Sequence, residues 1–466
     1  MLALVVFAAR PGGASANGRP SATSSISFRQ GHETDIAAGM TFGLLISRDA
    51  GVSWQWVCEE AIGYSPVSVY DPHYAFTPSG ALFATTYNGF RVERDFCTFA
   101  AATPTAAFAS TTALAGDGTL YYASSQAADP YYGVAADFRI YRSTNDGASF
   151  EPTAGQPAGT VGWWQTLAVA RSNTNVIYLG GYAYVPGPPD TGTVTQQQLY
   201  RSDDAGASWV TLPLDPAEVA VAPSTLIDVV GIADDNPDHV YIRVSYDDNR
   251  VFHSIYRSTD RGASWRRIVR KNTPLDVFVV RAAVHDGHHD LIVGGQTFGA
   301  EISHDDGATW TALAGAPHIG CLAENTAGEL WACTSNYGST SVLSDDAGIM
   351  KTANPEAGSW TKVLRYQDLT EAVACEAGTI QGDKCATTWC AQCAQLDCTP
   401  SAAYACTAAV DAAVDAAVDA PVAVEPVRAS GGCCDSGTGG ASALALGLSV
   451  GMLLRRPRRR RAQPCR

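Results

Sequence analysis

Positive charge is in short supply in this sequence. The 466 residues carry 31 Lys and Arg against 46 Asp and Glu, a formal net charge of −15 at pH 7. Arg10 and the arginines of residues 455–466 lie in the end segments, so the body between them is more acidic still. A surface of this sign repels phosphate backbones and excludes nucleic acid as a partner. Charged residues of both signs make up only 17%, and 44 Gly with 24 Pro leave few uninterrupted stretches. That punctuation excludes an architecture of long helices and suits short strands joined by turns. An apolar content of 46% over this length still allows a large core.

The two ends read as address labels. "LALVVFAA" (residues 2–9) is a short apolar run that lacks a basic leader, and "ASA" (14–16) has the small residues of a secretory cleavage site. Residues 1–16 are therefore expected to be a signal peptide. Near the other end, "GGCCDSGTGGASALALGLSVGMLLRRPRRRR" joins a Cys pair, an apolar segment and clustered arginines. As a helix, residues 441–454 span about 21 Å, short of a hydrocarbon core roughly 30 Å thick. The Gly/Ser lead-in from Ser436 brings the length close to that thickness, and the arginines after it stay cytoplasmic by the positive-inside rule.

One octamer recurs. The pattern S-x-D/N-x-G-x-S/T-W/F is clear at residues 47–54, 143–150, 202–209, 258–265 and 303–310, with degenerate copies at 93–99 and 344–350. Its Asp or Asn falls at Asp49, Asp95, Asn145, Asp204, Asp260, Asp305 and Asp346; its aromatic is Trp54, Phe150, Trp209, Trp265 or Trp310. The 41- to 59-residue steps match one four-stranded propeller blade. Each residue type has a turn-making role: the carboxylate or amide accepts backbone N–H groups, Gly supplies φ > 0, and the aromatic opens the next strand. Between copies, segments such as "TALAGDGTLYYA" and "AVARSNTNVIYLG" read as strand, turn, strand. The expected fold is all-β: a single propeller of seven four-stranded blades over 25–366, then a Cys-rich segment (367–407), an acidic low-complexity linker (408–431) and a C-terminal anchor segment with a short hydrophobic helix (432–466).

The octamer resembles the Asp box of sialidases, sortilin-type receptors and other propeller families. Residues 432–461 resemble the C-terminal sorting signal of myxobacterial surface proteins, although Cys465 is not part of that pattern. This second resemblance implies Cys433 or Cys434 as a processing or anchoring position, with a membrane and a sorting protease as partners. "FGLLISRDAGVSWQWVCEEAIGY" (42–64) is the stretch most similar to that group's repeat proteins. The sialidase likeness stops at the turn. That family's Phe-Arg-Ile-Pro signature is only faintly echoed by "FRQG" (28–31), and no arginine triad stands out; Arg142, Arg201 and Arg257 precede the octamers as strand-end residues.

Cys321 and Cys333 lie symmetrically about Ala327, the centre of an expected hairpin, and make a plausible cross-strand disulfide. Cys58 with Cys97 is the other expected pair. Six further cysteines between 375 and 406 permit three bridges of open connectivity. "CAQC" (390–393) has zinc spacing but no second C-x-x-C and no nearby His, so disulfides are favoured.

No pair of carboxylates singles itself out for glycosidase chemistry, and no catalytic residue or cofactor is assigned. "HDGHHD" (285–290) reads as a polar hairpin turn ahead of a metal site, so no metal is assigned either. Topology places the β2–β3 and β4–β1 connections on the propeller face opposite the octamers. Aromatic and polar residues gather in those connections: Tyr131, Tyr132, Trp163, Trp164, Tyr184, Tyr246, Asp248 and Tyr337. They are expected to bind a glycan or protein ligand on an exported, surface-attached module. The rival expectation is a glycan hydrolase, sialidase-like or with two carboxylates, whose site lies in the propeller mouth.

Overall fold

The computed structural model describes residues 20–406 apart from 65–69, 104–106, 160, 187–192, 215–218, 220–224, 247–251, 340–341 and 405. Asp248, Cys433, Cys434, the expected signal peptide, the acidic linker and the expected hydrophobic helix at 441–454 lie outside the described residues. Seven antiparallel meanders follow one another along the chain, each pairing its strands in sequence order. Blade one runs from Thr23–Phe28 to Gln55–Val57 and blade seven from Cys321–Glu324 to Thr361–Leu364. The first strands of successive blades pack side by side, and that of blade seven meets that of blade one. The chain is a closed seven-bladed β-propeller.

The strands follow from their residue content. Second strands such as Leu82–Thr86, Leu120–Ser124 and Leu330–Cys333 are buried along their whole length, because blades cover both of their faces. Their apolar side chains form separate clusters between neighbouring blades, such as Tyr178, Leu199 and Trp265 between blades four and five. The ring joint is held by Phe28 edge-on to Trp331 at 5.6 Å. There Thr23 Oγ1 donates to Gly348 O at 3.0 Å, and the Glu33 carboxylate accepts from Thr326 N–H and Oγ1–H.

The first six octamers each join the third and fourth strands of their blade. In the copies around Asp49, Asp204, Asp260 and Asp305, one hydrogen-bond pattern repeats. The Ser hydroxyl donates to Asp Oδ1 and accepts the Gly N–H, while Oδ1 and Oδ2 take the N–H and hydroxyl of the Ser or Thr four residues on. Asn145 keeps this frame, its amide nitrogen donating to Ser149 Oγ at 2.9 Å. In blade two the Glu93 carboxylate replaces the missing Ser and accepts from the backbone N–H groups of Arg94, Asp95 and Thr98.

The turn also joins blades. A Cβ added to Gly262 would lie 2.6 Å from Leu212 Cδ1 of the preceding blade, and one on Gly307 would lie 2.7 Å from Ile268 Cβ. Both glycines have positive φ, 84° and 79°. Trp209, Trp265 and Trp310 send their indole N–H back to Gly155 O, Pro213 O and Ile268 O, again of the preceding blade.

The seventh copy is displaced from its expected place. Asp346 lies between the second and third strands of blade seven, where it pairs with Lys362 and Arg365. The turn between the third and fourth strands is residues 352–360, "TANPEAGSW". There Thr352 Oγ1 accepts Asn354 N–H and Asn354 Oδ1 accepts Glu356 N–H, so Asn354 stands where Asp346 was expected. One additional residue between that Asn and Trp360 obscures the pattern.

Five disulfides take up all ten described cysteines. Cys321–Cys333 crosses the first hairpin of blade seven. The expected Cys58–Cys97 bond is not formed: Cys58 bonds Cys385 and Cys97 bonds Cys375. The segment after blade seven returns to the start of the ring, where Glu371–Ala372 pairs in parallel with the outer strand of blade one and Trp389 packs on Trp56 at 5.5 Å. With two cysteines drawn to the propeller, only Cys390–Cys406 and Cys393–Cys398 remain within the segment, around the helix Ala386–Gln395. Loops of 327 and 278 residues place each long-range bond, taken singly, at roughly 5.5–6 kcal/mol on a chain-entropy account, with the two effects overlapping.

Two outcomes follow for the turn. Gly262→Ala combines an unfavourable φ with overpacking against Leu212 and is expected to cost about 2–4 kcal/mol, read from denaturant midpoints. The Thr309 hydroxyl and N–H hold the Asp305 carboxyl at a pKa of about 2, below its ordinary 3.8. A folded pKa below the unfolded one contributes stability above about pH 4 that is lost as pH falls through about 2. Asp305→Asn should therefore lose less stability than the parent between pH 4 and 2, in urea midpoints taken at both values.

Candidate functional site

A cavity of about 650 Å³ opens where the first strands of blades two to six begin, on the face opposite the octamer turns. One side is aromatic. Trp163, the first residue of its strand, meets Phe108 edge-on at 4.7 Å; Phe108 lies 4.3 Å from Tyr87 and 5.2 Å from Tyr70. His73 extends the series, its ring parallel to Tyr70 at 6.3 Å. The Tyr70 hydroxyl bonds Thr85 Oγ1 at 2.6 Å and donates to Ser110 O at 3.0 Å, which fixes the ring. Phe108 is buried behind Trp163 and Tyr70, and Tyr87, 44% exposed, lies beside it outside the cavity lining.

The other side is polar. Arg243 reaches from the second strand of blade five to Asp228 Oδ2 through Nε at 3.2 Å and Nη2 at 2.8 Å. Its Nη1 donates to Leu275 O and Asp276 O of the blade-six approach. Asp276 Oδ2 accepts Gln296 N–H at 2.9 Å. His73 is itself exposed in the opening; the surrounding walls of the mouth disfavour its imidazolium and lower its pKa, against the opposing pull of Asp228 and Asp71. The mouth therefore combines flat ring faces with a guanidinium–carboxylate pair whose geometry is set before any ligand arrives.

The expected rim residues separate. Trp163 lines the cavity. Trp164 does not: successive side chains of a strand point to opposite faces, so Trp164 is fully buried between blades three and four. Its indole N–H donates to Phe138 O at 2.9 Å and its ring packs on Tyr200. Tyr131 and Tyr132 are exposed and touch each other at 4.8 Å, on a turn capped by Asp129, outside the cavity lining. Tyr184 is exposed beside Tyr182 near the outer end of the hairpin between the second and third strands of blade four. Tyr246 ends the second strand of blade five. Tyr337 is not a free rim residue, since its hydroxyl donates to Leu396 O of the Cys-rich segment at 2.7 Å.

Tyr70, His73, Tyr87, Phe108, Asp228 and Arg243 were not singled out from sequence. Four of the six lie at or just before first strands, in "VYDPHYAF", "FAS" and "LIDVV", and that recurring position is the signal that could have found them. On the opposite face, Arg201 is buried against Asp203, Asp238 and Tyr178, and Arg257 pairs with Asp306. These arginines join blades, away from the mouth. Among the described residues no helix is long and apolar enough to cross a membrane.

No protein-family model matches the chain, and no curated protein matches it. Solved structures do. An ancestral GH74 enzyme aligns with 74% of this chain over 47% of its own length, at 15% identity and a TM-score of 0.52. The extracellular domain of a putative one-component system from B. thetaiotaomicron aligns with 71% over 38%, at 15% identity and TM-score 0.46. The GH74 xyloglucanase from Xanthomonas campestris aligns with 72% over 57%, at 14% and 0.37. The chain spans less than two thirds of each, and at these identities the likeness is one of fold.

The two adjacent tryptophans provide a direct check. Trp164→Ala is expected to cost about 3–5 kcal/mol in chemical denaturation, whereas Trp163→Ala should leave the melting transition within a few degrees of the parent.

Proposed function

We propose that this chain is an exported Asp-box propeller that binds a glycan in its mouth without turning it over. The observation that carries this reading is that the rings of Trp163, Tyr70 and His73 line one cavity together with the Arg243–Asp228 pair, with Phe108 packed behind Trp163 and Tyr70. Sugar rings offer apolar C–H faces that stack on aromatic planes and hydroxyls that bond to fixed charged groups. The Arg243–Asp228 pair offers fixed charged partners for sugar hydroxyls, which supports the recognition reading. The repeated turns, read as Asp boxes, are scaffold in this proposal. Five disulfides fit an oxidising, extracellular compartment, and we extend the proposal to attachment at the cell surface through the C-terminal segment.

The fold-level likeness to a GH74 enzyme favours a second reading, a glycan hydrolase acting in the same mouth. A glycan array together with fluorogenic glycosides distinguishes the two. Retention without turnover, weakened about tenfold or more by Trp163→Ala with the fold intact, is the expected result. Turnover of any glycoside by the parent, lost in an Asp228→Asn variant, would replace binding with hydrolysis.

A further inference from the structure

On the octamer side of blade six, three side chains converge that are not part of the mouth. Asp286 and Gly287, both at positive φ, close the hairpin between the first and second strands. His285 stands at the end of the first strand, Asp290 in the second, and His304 just after the third. A register shift between Val280 and Val284 frees Asp290 from a partner in the first strand. Its side chain reaches both neighbours: His285 Nδ1 lies 2.7 Å and His304 Nδ1 2.6 Å from the same oxygen, Oδ1. The donor atoms of all three residues lie within 4.8 Å of one another.

Two features give this cluster the chemistry of a cation site. Asp290 is 2% exposed, and among the described residues no Lys or Arg pairs with it. A buried carboxylate without a cation is costly. The far nitrogen of His304, Nε2, lies 3.2 Å from Glu356 Oε1, in the turn of blade seven. A carboxylate holding the outer nitrogen of a histidine is also the arrangement that orients imidazole ligands toward metals.

We propose that His285, Asp290 and His304 bind one divalent transition-metal ion of the zinc class, with Glu356 positioning His304 and water completing the coordination. Two imidazoles with one carboxylate suit zinc or its first-row neighbours and are a poor match for calcium or magnesium, which take oxygen ligands. The ion would tie both octamer-side turns of blade six to the turn of blade seven.

The test uses tag-free full-length protein, stripped with chelator and titrated with Zn²⁺ by calorimetry, with Co²⁺ as a spectroscopic probe. The expected result is one ion per chain, ligand-field absorption of a four-coordinate Co²⁺ site, and a melting temperature raised by Zn²⁺. His285 is exposed, so His285→Ala should keep the fold, checked by circular dichroism, and abolish that binding event. Glu356→Gln should weaken it by about 10- to 100-fold while leaving the stoichiometry at one. Absence of saturable Zn²⁺ binding by the folded parent, or binding unchanged in His285→Ala, would overturn the assignment and leave histidine–carboxylate hydrogen bonds alone.

Discussion

The fold depends on a single hydrogen-bonded turn used repeatedly. Within a blade, the Ser hydroxyl and Asp carboxylate saturate the backbone N–H groups of the connection between third and fourth strands, holding a conformation that the chain alone would leave only partly populated. Between blades, the same turn presents a bare glycine to an apolar side chain of its predecessor, Leu212 against Gly262 or Ile268 against Gly307, and sends back an indole N–H. A propeller has little covalent connection between neighbouring sheets, so this coupling sets the angle at which each sheet meets the next. The octamer is therefore as much a joint as a hairpin.

That dual role explains which parts of the architecture were legible in the sequence. Five copies keep every residue type because both functions constrain them. Blade two shows how chemistry can survive the loss of the letters: Glu93 performs with one carboxylate what a serine and an aspartate do elsewhere. Blade seven shows the reverse. "SDDAG" (344–348) preserves the letters in a different connection, while "TANPEAGSW" preserves the location with Thr, Asn and one extra residue. Spacing and residue type identify a repeat; only strand pairing shows which turn it closes.

The mouth was less legible for a related reason. A period of two makes neighbours on one strand point apart, so "WW" (163–164) divides into one wall residue and one core residue, and the order of letters does not say which is which. Asp228 and Arg243 meet across a hairpin, but their convergence with Tyr70 and Trp163 depends on the closed ring bringing blades two to six together. The disulfides divide in the same way. Cys321–Cys333 is a local consequence of one hairpin, whereas Cys58–Cys385 and Cys97–Cys375 exist only because the trailing segment returns to blades one and two.

That return path has a mechanical consequence. Tension applied at Cys406 enters Cys390 through their shared bond, passes along the short stretch to Cys385, and is handed to Cys58 in the opening blade. The route bypasses the strands of the final blade, whose hydrogen bonds would otherwise unzip first under load. Shear would instead be borne by covalent links anchored where the ring starts, so a tether attached beyond this point could tug on the protein without peeling the circle open.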